Sequence, residues 1–295
     1  SPYGRPTYAD LILKNLIEVK EDGSFKLNLK YFSYISGLRM TGRKFEKLLG
    51  RPRRNQSARL TEDDFNIAAS IQKVTEEVIL KMAKFLRKHT GMDYLCLAGG
   101  VALNCVANGR GLREAGFKDI YIQPAAGDAG GSVGAAVFTY YSLLNRPRGT
   151  DVMPLPYLGP DYSDEEIRQA LDGCGAQYHR FDRTELIQKT ARLIADQNVV
   201  GWFQGRMDFG PRALGGRSIL ADPRSPKMKD VVNLKIKFRE SFRPFAPTVL
   251  NDHVSEYFEL DRQSPYMLLV AQVKKDKRII PAVTHVDGSG RLQTI

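Results

Sequence analysis

Three arginines share one short, glycine-rich stretch, GRMDFGPRALGGRSI at residues 205–219. Arg206, Arg212 and Arg217 lie there with four glycines and a single carboxylate, Asp208. A guanidinium group is a planar fork that binds two phosphate or carboxylate oxygens at once, and glycine lets backbone N–H groups approach the same anion. The stretch therefore predicts a phosphate-binding site, and a solvated basic loop is the alternative.

Two later segments also place basic residues beside Gly, Ser or Pro. KFRESFRPFAP supplies Lys237 and Arg243, and THVDGSGRLQT supplies His285 and Arg291. Three such segments are what convergence on one polyanion requires, so we predict that they meet around one site. Phenylalanines alternate with the basic residues of KFRESFRPFAP, so a nucleic-acid-binding groove is an alternative interpretation.

Two glycine-rich loops lie further upstream. In LAGGVALN, Gly99 and Gly100 end a predicted strand and Asn104 lies in the first turn of a predicted helix, where backbone N–H groups can face a ligand. In PAAGDAGG, Asp128 lies between small residues, which suits a divalent cation or a phosphate-bound Mg²⁺. A tight turn with a solvated Asn104 and a helix-capping Asp128 are the alternatives. Neither loop matches GxxxxGK[ST] or GxGxxG.

The elements that must position these loops alternate between strands and helices. YLCLA (94–98) and DIYIQ (119–123) are predicted strands, each followed by a glycine loop and a helix. This pattern predicts an α/β fold with ligand loops at the strand ends. Further upstream, Thr61 and the acidic residues that follow it predict a helix over 62–89 with one apolar face.

The proline-rich stretch 146–166 predicts a domain boundary, and it divides the chain into residues 1–150 and 151–295. The second part is predicted to contain, in order, helices over 164–173 and 184–197, a strand over 198–204, a Lys/Arg-rich helix over 226–238 and a strand over 267–273.

Composition narrows the class of protein and of partner. The 295 residues are 42% hydrophobic and 26% charged, the balance of a soluble globular protein, and no apolar run approaches the length of a membrane span. Three cysteines without a CxxC pair predict a reducing, cytoplasmic setting. The net charge of +11 favours nucleic acid, an anionic membrane or a phosphorylated small molecule as partner.

Three long stretches carry a resemblance to a known family: LCLAGGVALNCVANGRGLREAGFKDIYIQPAAGDAGGSVGAA, GRMDFGPRALGGRSILADPR and NLKIKFRESFRPFAPTVL. They resemble the O-carbamoyltransferases of antibiotic and nodulation-factor biosynthesis, the NodU/CmcH family, and the similarity covers nearly the whole chain. It implies that residues 1–150 are the C-terminal part of an actin-like ATPase (Kae1-like) domain. It further implies that residues 151–295 are a YrdC-like twisted α/β domain.

The resemblance also implies a reaction. The second domain is expected to join carbamoyl phosphate and ATP into carbamoyl-adenylate, releasing pyrophosphate and phosphate. The first domain, with a divalent metal (iron in the family, besides the Mg²⁺ that accompanies ATP), is expected to transfer the carbamoyl group to the hydroxyl of a small-molecule acceptor. No membrane partner is expected, and nucleic acid is the less favoured one.

Site residues follow from the same resemblance. The expected catalytic residues, which bind carbamoyl phosphate and nucleotide phosphates, are Arg212, Lys237, Arg243 and Arg291. The expected cofactor-binding residues are Gly99, Gly100, Asn104, Gly127, Gly130, Arg206, Arg217 and His285. Asp128 is expected to be a metal ligand.

The family pattern extends beyond this sequence at both ends, with a histidine pair upstream and an Asn-Thr-Ser-Phe-Asn motif downstream. We therefore expect an internal fragment, with the back half of the first domain and most of the second. A tRNA threonylcarbamoyladenosine-type enzyme and a non-enzymatic nucleic-acid-binding module are the alternative functions. The acceptor stays open, and so does the oligomeric state, with a homodimer among the options.

Overall fold

A computed structural model of the chain describes residues 3–55, 57–149 and 156–295 and shows a mixed α/β fold, as the sequence predicted. The chain divides into two compact units. The first comprises residues 1–95 and 106–120, and the second comprises residues 96–105 and 121–295. The predicted domain boundary between residues 150 and 151 lies outside the described residues.

The first unit is mainly helical. In chain order its elements are α1 (Ala9–Asn15), the antiparallel hairpin of β1 (Ile17–Val19) and β2 (Phe25–Leu27), α2 (Arg43–Leu49) and α3 (Glu62–Thr90). Its core forms where α1 packs on α3, and the fully buried side chains there are Ala9, Ile12, Leu16, Val74 and Val78. One apolar face of α3 therefore has a structural role.

Helix α3 confirms the helix predicted over 62–89. The Thr61 hydroxyl accepts a hydrogen bond from the Asp64 N–H at 3.4 Å, and the Asp64 carboxylate accepts one from the Thr61 N–H at 2.8 Å. This reciprocal pair satisfies two of the N–H groups that a helix start leaves unpaired. Gly91, at φ 66°, ends the helix in the left-handed conformation that glycine adopts without steric cost.

Strands β3 (Tyr94–Leu97) and β4 (Asp119–Ile122) pair with each other. A turn over Gly100–Leu103 links β3 to helix α4 (Cys105–Glu114), and a glycine-rich loop links β4 to helix α5 (Gly130–Phe138). The two predicted strand–loop–helix segments are confirmed.

The second unit continues as short strands and helices around its own core. The remaining elements are α6 (Asp164–Gly173), α7 (Arg183–Ala195), β5 (Val200–Phe203), β6 (Arg217–Leu220), α8 (Met228–Asp230), β7 (Thr248–Val249), α9 (Val254–Tyr257), β8 (Val270–Gln272), β9 (Ser289–Arg291) and β10 (Gln293–Thr294). β5 pairs antiparallel with β6, β8 antiparallel with β9, and β7 parallel with β10. Phe258 and Leu292 are the most completely buried large side chains of the core.

One predicted element is wrong in part. Instead of a regular helix over 226–238, the structure has the single turn α8 followed by wider π-helical turns over Val231–Ile236. The fully buried Asn233 lies in these turns, and its side-chain amide donates to the carbonyl oxygens of Ser241 and Arg243 at 3.3 and 2.9 Å. These tertiary hydrogen bonds replace the regular α-helical geometry that the sequence predicts. Such π-turns occur often at functional sites.

No helix in the described part of the chain is long and apolar enough to cross a membrane.

Candidate functional site

A cavity of about 1210 Å³ opens within the second unit. Six basic side chains from four separate segments line it: Arg212, Lys229, Lys237, Arg239, Arg243 and Arg291. The four residues predicted to bind phosphate are thus brought to one cavity. Among the described residues, the only ion pair made by these six is the one between Arg243 and Glu240, at 2.8 Å.

The carboxylates on the cavity wall do not neutralise this charge. Asp222 is buried and accepts hydrogen bonds from Arg224 and Gln197. The Glu256 carboxylate contacts Lys277 at 2.6 Å and His253 at 3.1 Å. Since both acids are already paired, the cavity keeps an excess of positive charge.

The loop that carries Arg212 is organised by its own carboxylate. Asp208 accepts hydrogen bonds from the backbone N–H groups of Leu214, Gly216 and Arg217 at 3.0, 3.2 and 2.9 Å. A side chain at Gly216 would not fit, because its Cβ would lie 2.7 Å from the Arg206 carbonyl oxygen. The single acid of the stretch therefore folds the loop and is not available to pair with the cavity arginines.

Arg206 and Arg217 lie within the same loop but are not on the cavity wall. The Arg217 Nη1 atom donates to the carbonyl oxygens of Gln204, Gly205 and Gly216 at 3.1, 3.0 and 2.7 Å, and its guanidinium stacks on the Phe203 ring. The Arg206 Nε atom donates to the Gly159 carbonyl at 3.0 Å. Both arginines tie backbone segments together, and a direct contact with a cofactor stays a prediction.

Arg212 presents a different environment. Its Nε atom is buried and has no hydrogen-bond partner among the described residues. The turn that follows is fixed at the carbonyl of Leu214, which accepts from the Tyr157 hydroxyl at 2.8 Å and from the Gln293 amide at 2.9 Å. The backbone beside Arg212 is thus held firmly, while part of its guanidinium is left without a ligand.

Asn233 holds a second basic segment of the wall. Its Oδ1 atom accepts from the Arg239 Nε at 2.6 Å, while its amide donates to the carbonyls of Ser241 and Arg243 as described above. Burial and the charge of Arg243 lower the pKa of Arg239. Burial and the charge of Arg239 likewise lower the pKa of Lys237. The segment therefore concentrates cations that repel one another.

Arg291 reaches the same cavity from strand β9. Its Nε atom is buried without a partner in the part of the chain that the structure describes. Burial, followed by the charges of Arg212 and Arg239, lowers the pKa of Arg291, and Cys105 acts in the opposite direction. Cations that are buried, unpaired and mutually repulsive are costly to a protein unless an anion binds between them.

His285 lies at the start of the turn that leads into β9. Its Nδ1 atom is 3.0 Å from the Ser289 hydroxyl, and its Nε2 atom is buried without a hydrogen-bond partner among the described residues. Burial lowers the pKa of His285, against the pull of Asp287, and the charges of Arg291 and Lys229 add to the lowering. The ring is therefore neutral at physiological pH in the ligand-free protein.

The two upstream glycine loops meet in the second unit. The Gly99 N–H donates to the Ala126 carbonyl at 2.8 Å, and a Cβ placed on Gly127 would lie 4.0 Å from the Gly100 Cα. Gly99, at φ 96°, needs the conformational freedom of glycine.

The arginine loop also reaches these glycine loops. A Cβ on Gly210, at φ 115°, would lie 3.0 Å from the Pro124 carbonyl oxygen. Asn104 is half-buried at the end of the turn after β3, and Gly130 opens helix α5. The glycine loops predicted to bind the cofactor and the loop of Arg212 are thus neighbours, although Gly99, Gly100 and Asn104 are not on the cavity wall.

Asp128 does not form a metal site with the residues described. It is exposed, and no group of three His, Cys, Asp or Glu side chains in the described part of the chain could hold a metal ion. The described residues alone do not fit the predicted divalent metal, and the role of Asp128 as a ligand stays a prediction.

Three residues of the site are not predicted individually from the sequence. Arg239 lies in the predicted basic segment, and Lys229 and Asn233 lie in the helix predicted over 226–238. The short spacing of basic residues between 229 and 243 was the one available signal. The organising contacts of Asn233 are with residues eight and ten positions along the chain, and the local pattern does not encode them.

Comparison with known proteins identifies the family of the chain. The family model of the carbamoyltransferase N-terminus matches residues 1–137, and that of the carbamoyltransferase C-terminus matches residues 191–295. The chain belongs to the carbamoyltransferase family, as the sequence motifs predicted.

Curated relatives extend the comparison. The "uncharacterized protein sll1178" of Synechocystis sp. is 52% identical over 321 residues, which cover all of this chain and 52% of the relative. Nodulation protein NolO of Bradyrhizobium diazoefficiens is 38% identical over 302 residues, covering all of this chain and 53% of the relative. Nodulation protein U of Rhizobium tropici is 38% identical over 240 residues, covering 78% of this chain and 38% of the relative. The chain thus spans about half the length of the first two relatives.

Proposed function

We propose that this chain carries the carbamoyl-phosphate and nucleotide site of an ATP-dependent O-carbamoyltransferase. The observation behind the proposal is the set of six basic residues on one cavity, in which the Nε atoms of Arg212 and Arg291 are buried and have no partner among the described residues. A volume of about 1210 Å³ exceeds the roughly 300–1,000 Å³ typical of a drug-sized ligand. The cavity therefore has room for carbamoyl phosphate together with the phosphates of ATP.

The finer fold assignment belongs to the same proposal. Residues 1–150 would be the back part of a Kae1-like domain and residues 151–295 a YrdC-like domain. The two successive strand–glycine loop–helix segments around β3 and β4 support the first assignment. The cavity in the second unit, which is lined by cationic side chains, supports the second.

The proposed chemistry has three steps, which are hydrolysis of carbamoyl phosphate, formation of carbamoyl-adenylate and transfer of the carbamoyl group. Water first releases phosphate from carbamoyl phosphate, and an oxygen of the resulting carbamate attacks the α-phosphorus of ATP, so that pyrophosphate leaves and carbamoyl-adenylate forms. The hydroxyl oxygen of the acceptor then attacks the carbamoyl carbon, AMP leaves, and the hydroxyl proton goes to solvent. Formation of the adenylate needs two negatively charged groups, the carbamate and the phosphates of ATP, to be held against one another.

The basic residues meet that need. Arg212, Lys237, Arg243 and Arg291 would bind phosphate oxygens and offset the charge that grows on them as bonds to phosphorus break, a contribution that fixed cations make with little reorganisation. Their partners within the protein are few, so the ligand would complete the site.

Other residues would act around this centre. Arg206 and Arg217 would act indirectly, by holding the loop of Arg212 through backbone carbonyls. The neighbouring glycine loops and Asn104 would receive the adenylate. Cβ atoms built on Gly99 and Gly100 would meet no described atom within 4 Å, so open space lies above their backbone.

The test is pyrophosphate release measured with ATP and carbamoyl phosphate together and with each alone. We expect release to require both substrates and to fall at least about 100-fold in Arg212→Ala, the loss typical of removing one preorganised charge stabiliser. Arg180→Ala is the matched control, because that arginine is 83% exposed and off the cavity. It should leave release unchanged.

Two outcomes would contradict the proposal. One is pyrophosphate release by Arg212→Ala at the wild-type rate. The other is tight, steeply salt-dependent binding of a short RNA with no response to carbamoyl phosphate, which would favour a nucleic-acid-binding module.

A further inference from the structure

The hydrogen bonds around His285 fix the position of its proton. Ser289 donates its hydroxyl proton to the Asp287 carboxylate at 2.7 Å, and the Ser289 N–H donates to the same oxygen at 3.0 Å. With its proton committed, the Ser289 hydroxyl can only accept from the ring nitrogen 3.0 Å away. Nδ1 of His285 therefore carries the proton, and Nε2 of the neutral ring is a bare lone pair.

That lone pair is unsatisfied. The Nε2 atom is buried and has no hydrogen-bond partner among the described residues. A buried acceptor without a donor costs free energy, and native proteins retain few such atoms. Two backbone hydrogen bonds also fix the turn: the His285 N–H donates to the Ser289 carbonyl at 2.7 Å, and the Gly288 N–H donates to the His285 carbonyl at 2.9 Å. The ring is therefore preorganised for a donor from outside the chain.

His285 is not itself among the residues that line the cavity, but Arg291 and Lys229 are, and the charges of both act on the His285 ring. Side chains two residues apart along a strand point to the same face, so Ser289 and Arg291 share a face of β9. Ser289 holds the histidine ring, and Arg291 lines the cavity. Arg212 and Arg291 contribute buried Nε–H donors that need an acceptor, and His285 contributes a buried acceptor that needs a donor.

One ligand satisfies both requirements. We propose that His285 is a specificity-determining residue whose bare Nε2 accepts a hydrogen bond from the carbamoyl NH₂ group while the arginines bind the phosphate of the same molecule. The proposal rests on the proposed function and deepens it, because cations alone hold any phosphate. Acetyl phosphate has the same shape with a methyl group in place of the NH₂, and it leaves the lone pair unsatisfied.

The test compares carbamoyl phosphate, acetyl phosphate and inorganic phosphate by calorimetric titration of the purified protein at constant ionic strength. We expect wild type to bind carbamoyl phosphate at least about tenfold more tightly than acetyl phosphate, the preference of one hydrogen bond to a buried acceptor. In His285→Phe the preference should fall to about one, with inorganic phosphate affinity retained. His179→Phe, at an exposed histidine, is the control and should keep the wild-type preference.

A second variant and an NMR measurement on wild type keep the proposal testable if His285→Phe does not fold. Ser289→Ala removes the acceptor that orients Nδ1–H, so the preference should also fall. Imidazole ¹⁵N NMR of wild type should show one histidine protonated at Nδ1 and bare at Nε2. The Nε2 resonance should shift on addition of carbamoyl phosphate but not of inorganic phosphate.

The outcomes separate this inference from the proposed function. If wild type binds none of the three phosphates, the proposed function is wrong and the role of His285 with it. If wild type prefers carbamoyl phosphate and both His285→Phe and Ser289→Ala keep that preference, only the role of His285 is wrong. Equal binding of carbamoyl and acetyl phosphate by wild type, or an Nε2-protonated ring, would also overturn it.

Discussion

Replacing Arg291 with methionine should stabilise the ligand-free protein while removing its response to phosphorylated ligands. The Arg291 Nε atom is buried and has no partner within residues 3–55, 57–149 and 156–295, and burial together with the charges of Arg212 and Arg239 lowers the pKa of Arg291. An unpaired buried polar group costs about 1–3 kcal/mol. Methionine keeps an apolar stem of similar length without the charge. We expect the free energy of unfolding to rise by about 1–3 kcal/mol, with roughly 2–4 °C in Tm for each kcal/mol.

Bound carbamoyl phosphate should reverse this order of stability, so that wild type becomes more stable than Arg291→Met. A ligand that binds only the folded state at 100 times its Kd stabilises by about 2.7 kcal/mol. Wild type should gain this amount from carbamoyl phosphate, and Arg291→Met should gain almost none. The measurement is thermal unfolding by differential scanning fluorimetry across a carbamoyl phosphate series at constant ionic strength. Arg180→Met is the control, since it changes the same residue type at an exposed position.

The opposite pattern would refute the reasoning. If Arg291→Met lowers the Tm of the ligand-free protein and still responds to carbamoyl phosphate as wild type does, Arg291 is a structural residue. The basic residues of the cavity would then not form a binding site for a phosphorylated ligand.

Three further predictions follow from the same contacts. Asp208→Asn loses a carboxylate that accepts three backbone N–H groups, so urea unfolding should show a loss of about 1–3 kcal/mol. The control Asp161→Asn, at an exposed carboxylate, should show no loss. Asn233→Ala releases the wall segment that it holds, so the Kd for pyrophosphate measured by calorimetry should rise about tenfold. Hydrogen bonds from Arg224 hold the pKa of the buried Asp222 below its usual value of about 4, so its stabilisation is present above that value and is lost as pH falls through the lowered pKa. Asp222→Asn should therefore weaken the dependence of stability on pH in acid unfolding measured by circular dichroism.

Elements with local causes were predictable from the sequence. The capping residues of α3 and α6 lie within three positions of one another, and both helices form where the sequence predicts them. The strand–loop–helix pattern around β3 and β4 follows from short apolar runs and glycines. The meeting of three basic segments on one cavity was predictable in outline, because glycine and arginine together are unusual in plain loops.

Contacts between distant residues were not predictable. Three arginines of one stretch have different surroundings, since Arg206 and Arg217 bind backbone carbonyls and only Arg212 lines the cavity. Nothing in their types or spacing distinguishes them, because their surroundings depend on the folded loop, in which Asp208 accepts hydrogen bonds from three backbone N–H groups. The π-turns at Asn233 likewise depend on carbonyls that only the folded loop brings near.

The most direct measurement is a crystal structure of the protein with carbamoyl phosphate bound. We predict that phosphate oxygens lie within about 3 Å of the Nε atoms of Arg212 and Arg291, the distance of a charge-assisted hydrogen bond. A phosphate bound elsewhere on the basic surface, with both Nε atoms still unpaired, would contradict the account.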